Sequence, residues 1–155
     1  KMGPELALWD GLANTGKPVR IFVPQATQAQ LDRFAALRFH IEHRPVPIPE
    51  IARRSRLLVS HGGHGFSCAA LLAGLPHFIA WYDLEKMLFA RAVAELGTGD
   101  GEFLTSINAM ATAENLKQLW ENDDLHDRAM AVATALALSN APMAEDRISS
   151  IAAGL

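Results

Sequence analysis

Leu57-Leu58-Val59-Ser60-His61-Gly62-Gly63-His64-Gly65-Phe66-Ser67 decides how this chain is read. Residues 57–60 have the length and apolar character of a buried strand. His61-Gly62-Gly63 turns the chain sharply, and 64–73 continues as a helix of small residues, with Gly74 as its left-handed stop and Pro76 beyond. In open α/β folds, ligands bind outside the carboxyl ends of strands, where a strand hands over to a helix. The three glycines let the backbone approach a ligand closely. The helix start offers free N–H groups and a partial positive charge, which suit a phosphate. His61 leaves the strand end aimed at the same place and can donate to a phosphoryl oxygen; Ser67, in the first turn, can add a hydroxyl. On glycine content alone, a tight strand–turn–helix with no ligand stays open as the alternative.

Working outward, apolar runs bounded by Gly and Pro alternate with helical patterns. Residues 4–14 read as a helix with Pro4 at its start and Gly16 past its end. Residues 19–23 read as a strand closed by Pro24, and Thr27 with Gln30 as a capping box for a following helix. A short strand is expected at 39–43. The prolines of 44–49 imply extended loop, because each biases its predecessor away from helix; a helical turn or two follows at 50–55. Residues 77–81 return as a strand and 84–96 as a helix stopped by Gly97. After a loop with Gly99 and Gly101, helices are expected at 112–122, 124–138 and 144–153. The alternation predicts an α/β fold: one domain over 1–155, a Rossmann-like parallel sheet with helices on both faces and a helical C-terminal tail. The pattern opens on a helix, although the first strand of a doubly wound sheet lies in its middle. The expectation is that a longer chain supplies that strand and another lobe.

Composition bounds the function classes. The chain has 155 residues, 50% hydrophobic and 20% charged, with a net charge of −3. Its densest basic run, Arg53, Arg54 and Arg56, reads as the solvated end of a short helix, so the footprint of a nucleic-acid binder is absent. The single cysteine, Cys68, rules out an intrachain disulfide and fits a reducing compartment. No apolar run approaches the ~18 residues of a membrane span, and 1–4 lead into a helical pattern instead of a signal sequence. A cytoplasmic protein is expected.

His61-Gly62-Gly63-His64-Gly65, followed by Ala73-Gly74-Leu75-Pro76, resembles the donor-site signature of glycosyltransferases with two Rossmann-like lobes, the GT-B fold. The nearest flavour is that of the enzymes that glycosylate antibiotics and other small aglycones, which are related to the UDP-glycosyltransferases. Val46-Pro47 stands in register, Pro47 fourteen positions before His61, and Ala94-Glu95-Leu96-Gly97-Thr98-Gly99 is similar to the family's E-x-L-G-x-G run. The likeness spans roughly residues 19–100.

The resemblance implies the donor-binding, C-terminal lobe of an enzyme that moves a sugar from a nucleotide-activated donor to an acceptor hydroxyl. A hexosyltransferase type is implied, inactive as this chain alone, because the base that deprotonates the acceptor belongs to the N-terminal lobe. No residue here is then catalytic. His61 and the segment Gly62, Gly63, His64, Gly65, Phe66 and Ser67 would hold the donor diphosphate. Val46 and Pro47 would face the base, and Asp83 and Glu85 the donor sugar. The implied partners are a nucleotide sugar and the N-terminal acceptor lobe, with no cofactor and no metal. The sequence departs from the family at Phe66, where Ser or Thr is common, and at Ala69, where many relatives carry a ribose-binding Glu. Lys86 replaces a usual Gln, and Trp81 a frequent Pro.

Other residues read more plainly. His61 and His64 are separated by the turn and lack a Cys or carboxylate at ligand spacing, which argues against a metal pair. His40, His43, His77 and His126 read as surface or packing residues, Cys68 as packing, Trp9 and Trp120 as core or interface, and Asp123-Asp124 as a helix cap and solvated turn. Asp83 with Glu85 lacks the spacing of a glycosidase carboxylate pair. Two further functions stay open: a sugar-nucleotide epimerase of similar fold, and a non-catalytic binding module, which Ala69 and Lys86 favour.

Overall fold

The computed structural model describes residues 4–139, so the helix expected at 144–153 lies outside the described residues. The chain runs α1 (Glu5–Asn14), β1 (Arg20–Ile21), α2 (Gln28–Ala36), β2 (His40–Ile41), α3 (Ile48–Arg54), β3 (Leu58–Ser60), α4 (His64–Leu72), β4 (His77–Trp81), α5 (Leu84–Glu95), β5 (Gly99–Phe103), α6 (Ala109–Glu121) and α7 (Asp123–Leu138). Every strand pairing is parallel. The capping box forms: Thr27 Oγ1 accepts from Gln30 N while Gln30 Oε1 accepts from Thr27 N.

Side chains alternate across β4, and so do its helical partners. Phe78 and Ala80 pack with Leu104, Ile107 and Leu116, and with Leu8 and Leu12 of α1. On the opposite face Leu58 packs with Ala70 and Leu75, and Ile79 with Ala90 and Val93. Helices thus cover both faces of the sheet, as the alternation predicts. Phe78 and Ile79 are fully buried, each worth about 1.5–3 kcal/mol of apolar transfer.

The sheet is in two pieces, β1-β2 and β3-β4-β5. Leu12 of α1 packs into the cores of both. Leu58 N–H donates to Pro76 O, so the peptide groups of Val59 face away from β4; on β1, Val19 O and Ile21 O accept from β2, so those of Arg20 face away from β2. Among the described residues, no strand joins β1 to β3.

Four expectations need correction. Gly99–Phe103 is a strand, not a loop. Its glycines permit close approach: a Cβ on Gly99 would overlap the His77 carbonyl oxygen, and one on Gly101 would stand 2.6 Å from Ile79 O. The α3 helix starts at Ile48, two residues earlier than expected, because proline is tolerated in a first helical turn, where its missing N–H has no partner to lose. Asn122 caps α7, its side chain accepting from Leu125 N, while Asp123 pairs with Arg56 at 2.7 Å. Strands β1 and β2 are two residues each, shorter than the five-residue runs read from sequence.

Candidate functional site

The turn between β3 and α4 is built so that its backbone faces outward. Gly62 has φ +83°, and a Cβ there would stand 2.5 Å from Ile79 Cγ2 in the core, so only glycine fits. Gly62 N–H donates to Ser60 Oγ at 3.0 Å. Gly63 is the N-cap of α4 and supplies no side-chain cap. The first amide held by the helix is that of Ser67, which donates to Gly63 O at 2.9 Å. The N–H groups of Gly63, His64, Gly65 and Phe66 therefore have no partner among the described residues. Four donors at a helix start form an anion site.

His61 is exposed, and its Nε2 lies 3.5 Å from where a Gly63 Cβ would stand, so the imidazole sits beside the Gly63 backbone. Its ring is 6.1 Å from that of Tyr82. His64 is also exposed, with its ring edge-on to Phe89 at 4.9 Å. Space beside Gly65 is open, and Phe66 is exposed. Ser67 is buried on the Ala70 side of α4, and its hydroxyl has no partner among the described residues.

At the end of β4, Asp83 caps α5. It accepts from Lys86 N at 3.0 Å and from Lys86 Nζ at 2.5 Å. Those hydrogen bonds hold its carboxyl below the usual carboxylate range, and Asp83 in turn holds the Lys86 ammonium above its ordinary value. Lys86 Nζ also lies 4.5 Å above the Tyr82 ring. Both Asp83 oxygens are thus engaged, whereas Glu85 is exposed. Val46 and Pro47 lead into α3, with Pro47 extended at φ −60°, ψ 139°. Ile51 and Ala52 of α3 pack against the cluster of Leu58, Ala70 and Leu75, which seats α3 beside α4.

Beneath the turn lies a residue that the sequence reading leaves to packing. His77 is 2% exposed, its Nε2 is 2.8 Å from Ser60 Oγ, and its Nδ1 is buried without a partner among the described residues. Burial, with a contribution from the charge of His61, lowers its pKa to about 4. A polar ring opening the apolar run His77-Phe78-Ile79-Ala80-Trp81 was the available signal. His40 and His43 are exposed, and His126 is half-buried. Trp9 is core, edge-on to Phe34 at 4.9 Å, and Lys17 lies 4.1 Å over Trp120.

A second concavity of about 430 Å³ opens at the carboxyl ends of β1 and β2, lined by Phe22, Leu31, Phe34 and Arg44 among others. Among the described residues no three His, Cys, Asp or Glu side chains converge as metal ligands, and no helix is long and apolar enough to cross a membrane.

No protein-family model matches the chain. It is similar to the uncharacterized protein Mb1553c of Mycobacterium bovis, 27% identical over 114 residues, covering 71% of this chain and 25% of that protein. It is also similar to the uncharacterized glycosyltransferase ML2348 of Mycobacterium leprae, 31% identical over 64 residues, covering 41% of this chain and 15% of that protein. The chain thus spans a quarter or less of the curated relatives it matches. Among solved structures, the glycosyltransferase VinC in complex with DTDP aligns with a TM-score of 0.71 at 18% identity, over 84% of this chain and 33% of VinC. The UGT2 of Phytolacca americana, complexed with UDP-2fluoro-glucose and pterostilbene, aligns with a TM-score of 0.73 at 15% identity, over all of this chain and 39% of that one. Parallel strands in two small sheets, helices on both faces and these alignments together give the chain the fold of a GT-B glycosyltransferase lobe.

Proposed function

We propose that the chain is the donor-binding, C-terminal lobe of a glycosyltransferase, which moves a sugar from a nucleoside-diphosphate donor to an acceptor hydroxyl. One observation carries the reading: four amides at the start of α4 with no partner among the described residues, and the His61 imidazole beside Gly63, at the carboxyl end of a parallel strand. In the reaction the acceptor oxygen bonds to the anomeric carbon, and the bond from that carbon to the phosphate oxygen breaks. The nucleoside diphosphate leaves with the electron pair. Fixed N–H donors aimed at the leaving group stabilise the negative charge it gains. Such donors need no metal ion to neutralise the leaving group, and the transferred sugar is taken to be a hexose. The acceptor's proton passes to a base in an N-terminal lobe of the same longer chain, and this chain alone is inactive.

In this reading His61 with Gly62, Gly63, His64, Gly65 and Phe66 holds the diphosphate, Val46 and Pro47 face the base, and Glu85 meets the sugar. Asp83, engaged by Lys86, shapes the same edge. Ser67 supports α4 from beneath. The free Cys68 is consistent with a cytoplasmic setting.

A second reading, a non-catalytic module, is favoured by Ala69, a methyl where many glycosyltransferases carry a ribose ligand, and by the neutralised Asp83. Calorimetric titration of the full-length protein with UDP, dTDP and GDP decides. Binding of one of them, weakened about tenfold or more in His61→Ala as expected for a hydrogen bond to a charged group, supports the donor lobe. An intact fold that binds none overturns it. Product analysis with a sugar nucleotide alone identifies an epimerase, which needs no acceptor.

A further inference from the structure

Ser60 Oγ stands between two partners. It accepts from Gly62 N–H at 3.0 Å, and it lies 2.8 Å from His77 Nε2. A serine hydroxyl has one proton to donate and two lone pairs to accept with, so the tautomer of His77 decides where that proton points. If Ser60 donates to Nε2, the ring proton sits on Nδ1, a buried donor with no acceptor among the described residues. If Nε2–H donates to Ser60, Nδ1 is a bare acceptor. Among buried backbone groups, orphaned N–H donors are rarer than under-satisfied acceptors, and the same preference is applied to the ring. The second arrangement is therefore the stable one. It fills both lone pairs of Ser60 and frees its O–H.

Ser60 ends β3 and is partly exposed, one residue before His61. Its neighbour through the hydrogen bond, Gly62, is the residue whose positive φ opens the turn. We infer that His77 is a positioning residue, that its Nε2–H fixes the Ser60 hydroxyl, and that Ser60 is a fifth donor to the anion held at the start of α4. This rests on the donor-lobe reading for the identity of the anion, a nucleoside diphosphate, but not for the tautomer. The Phe66 ring meets His77 edge-on at 6.4 Å. A neutral imidazole is required throughout, and burial keeps it so at neutral pH.

Two measurements on the full-length protein test this. Long-range proton–nitrogen NMR of the imidazoles, without ligand, is expected to show His77 neutral and protonated on Nε2; protonation on Nδ1 overturns the inference whatever the ligand. Titration with UDP and dTDP is expected to show an affinity about tenfold lower in Ser60→Ala, the scale of a hydrogen bond to a charged group. Ser60→Thr and His77→Gln, which retain the hydroxyl and an N–H donor, should stay near wild type. His77→Leu should weaken binding as Ser60→Ala does, and should add nothing in the Ser60→Ala background. Full affinity in folded Ser60→Ala, or an undiminished effect of His77→Leu in that background, overturns it. Failure of the wild type to bind either nucleotide overturns the donor-lobe reading and the ligand role of Ser60 together, while the spectrum still decides the tautomer.

Discussion

Two adjacent strands hand over to helices at the same end of the sheet, and they do it differently. After β4, the chain caps its own helix: Asp83 accepts from Lys86 N, and the Lys86 ammonium closes over the carboxylate. After β3, Gly63 caps α4 with no side chain, and four amides have no partner among the described residues. A side-chain cap is worth about 1 kcal/mol over alanine but only a few tenths over glycine, so the glycine cap of α4 forgoes a small stability that its neighbour takes. The α2 helix behaves like α5, through Thr27 and Gln30. The difference separates a helix start that serves the fold from one left available to an anion.

The largest disruption of this contrast is Gly62→Ala. A left-handed backbone costs a residue with a Cβ about 1–2 kcal/mol, and the overlap with Ile79 adds more, so stability should fall by about 3 kcal/mol. Diphosphate affinity should fall about 100-fold, the scale of a site misplaced by ~1 Å; urea unfolding and calorimetry read the two. The second effect is acidic. His77 titrates at about 4 in the folded protein against about 6.5 unfolded. The unfolded chain therefore takes up its proton first. This contribution is complete above pH 6.5 and is lost as pH falls toward 4, amounting to about 3 kcal/mol. In His77→Gln the slope of stability over that window should flatten. The half-buried Asp83–Lys86 pair contributes little there, because its carboxyl is held below the usual carboxylate range.

The third and fourth are mirror images. Gly63→Asp gives α4 the cap it lacks, at a backbone of φ −58° that any residue adopts. Stability should rise by a few tenths of a kcal/mol, while the added charge should weaken diphosphate binding at least about tenfold. Asp83→Ala should do the reverse, lowering stability by about 1 kcal/mol with the diphosphate affinity unchanged. If Gly63→Asp binds as tightly as wild type, the open amides are not the anion site.

The turn was legible in the sequence because its constraints are local. Gly62, Gly74 and Gly97 all take positive φ where the glycines suggest a turn or a helix stop, and the capping box forms between residues three apart. Strand β5 was not legible, because Gly99 and Gly101 lower strand propensity, and the reason for them lies in the approach of β4, a contact far along the chain. His77 escaped for a similar reason: its partner Ser60 is seventeen positions away. The engagement of Asp83 also depended on a side-chain conformation that spacing does not specify.

The close packing of β5 on β4 has a genetic consequence. Any single-base change in a glycine codon that alters the amino acid produces a residue with a Cβ. At Gly99 that atom meets the His77 carbonyl, at Gly101 the Ile79 carbonyl, and at Gly62 the Ile79 side chain. No one-step missense mutation at these three codons is neutral to the fold. The strand with the least side chain is therefore the one whose codons have the least room to drift.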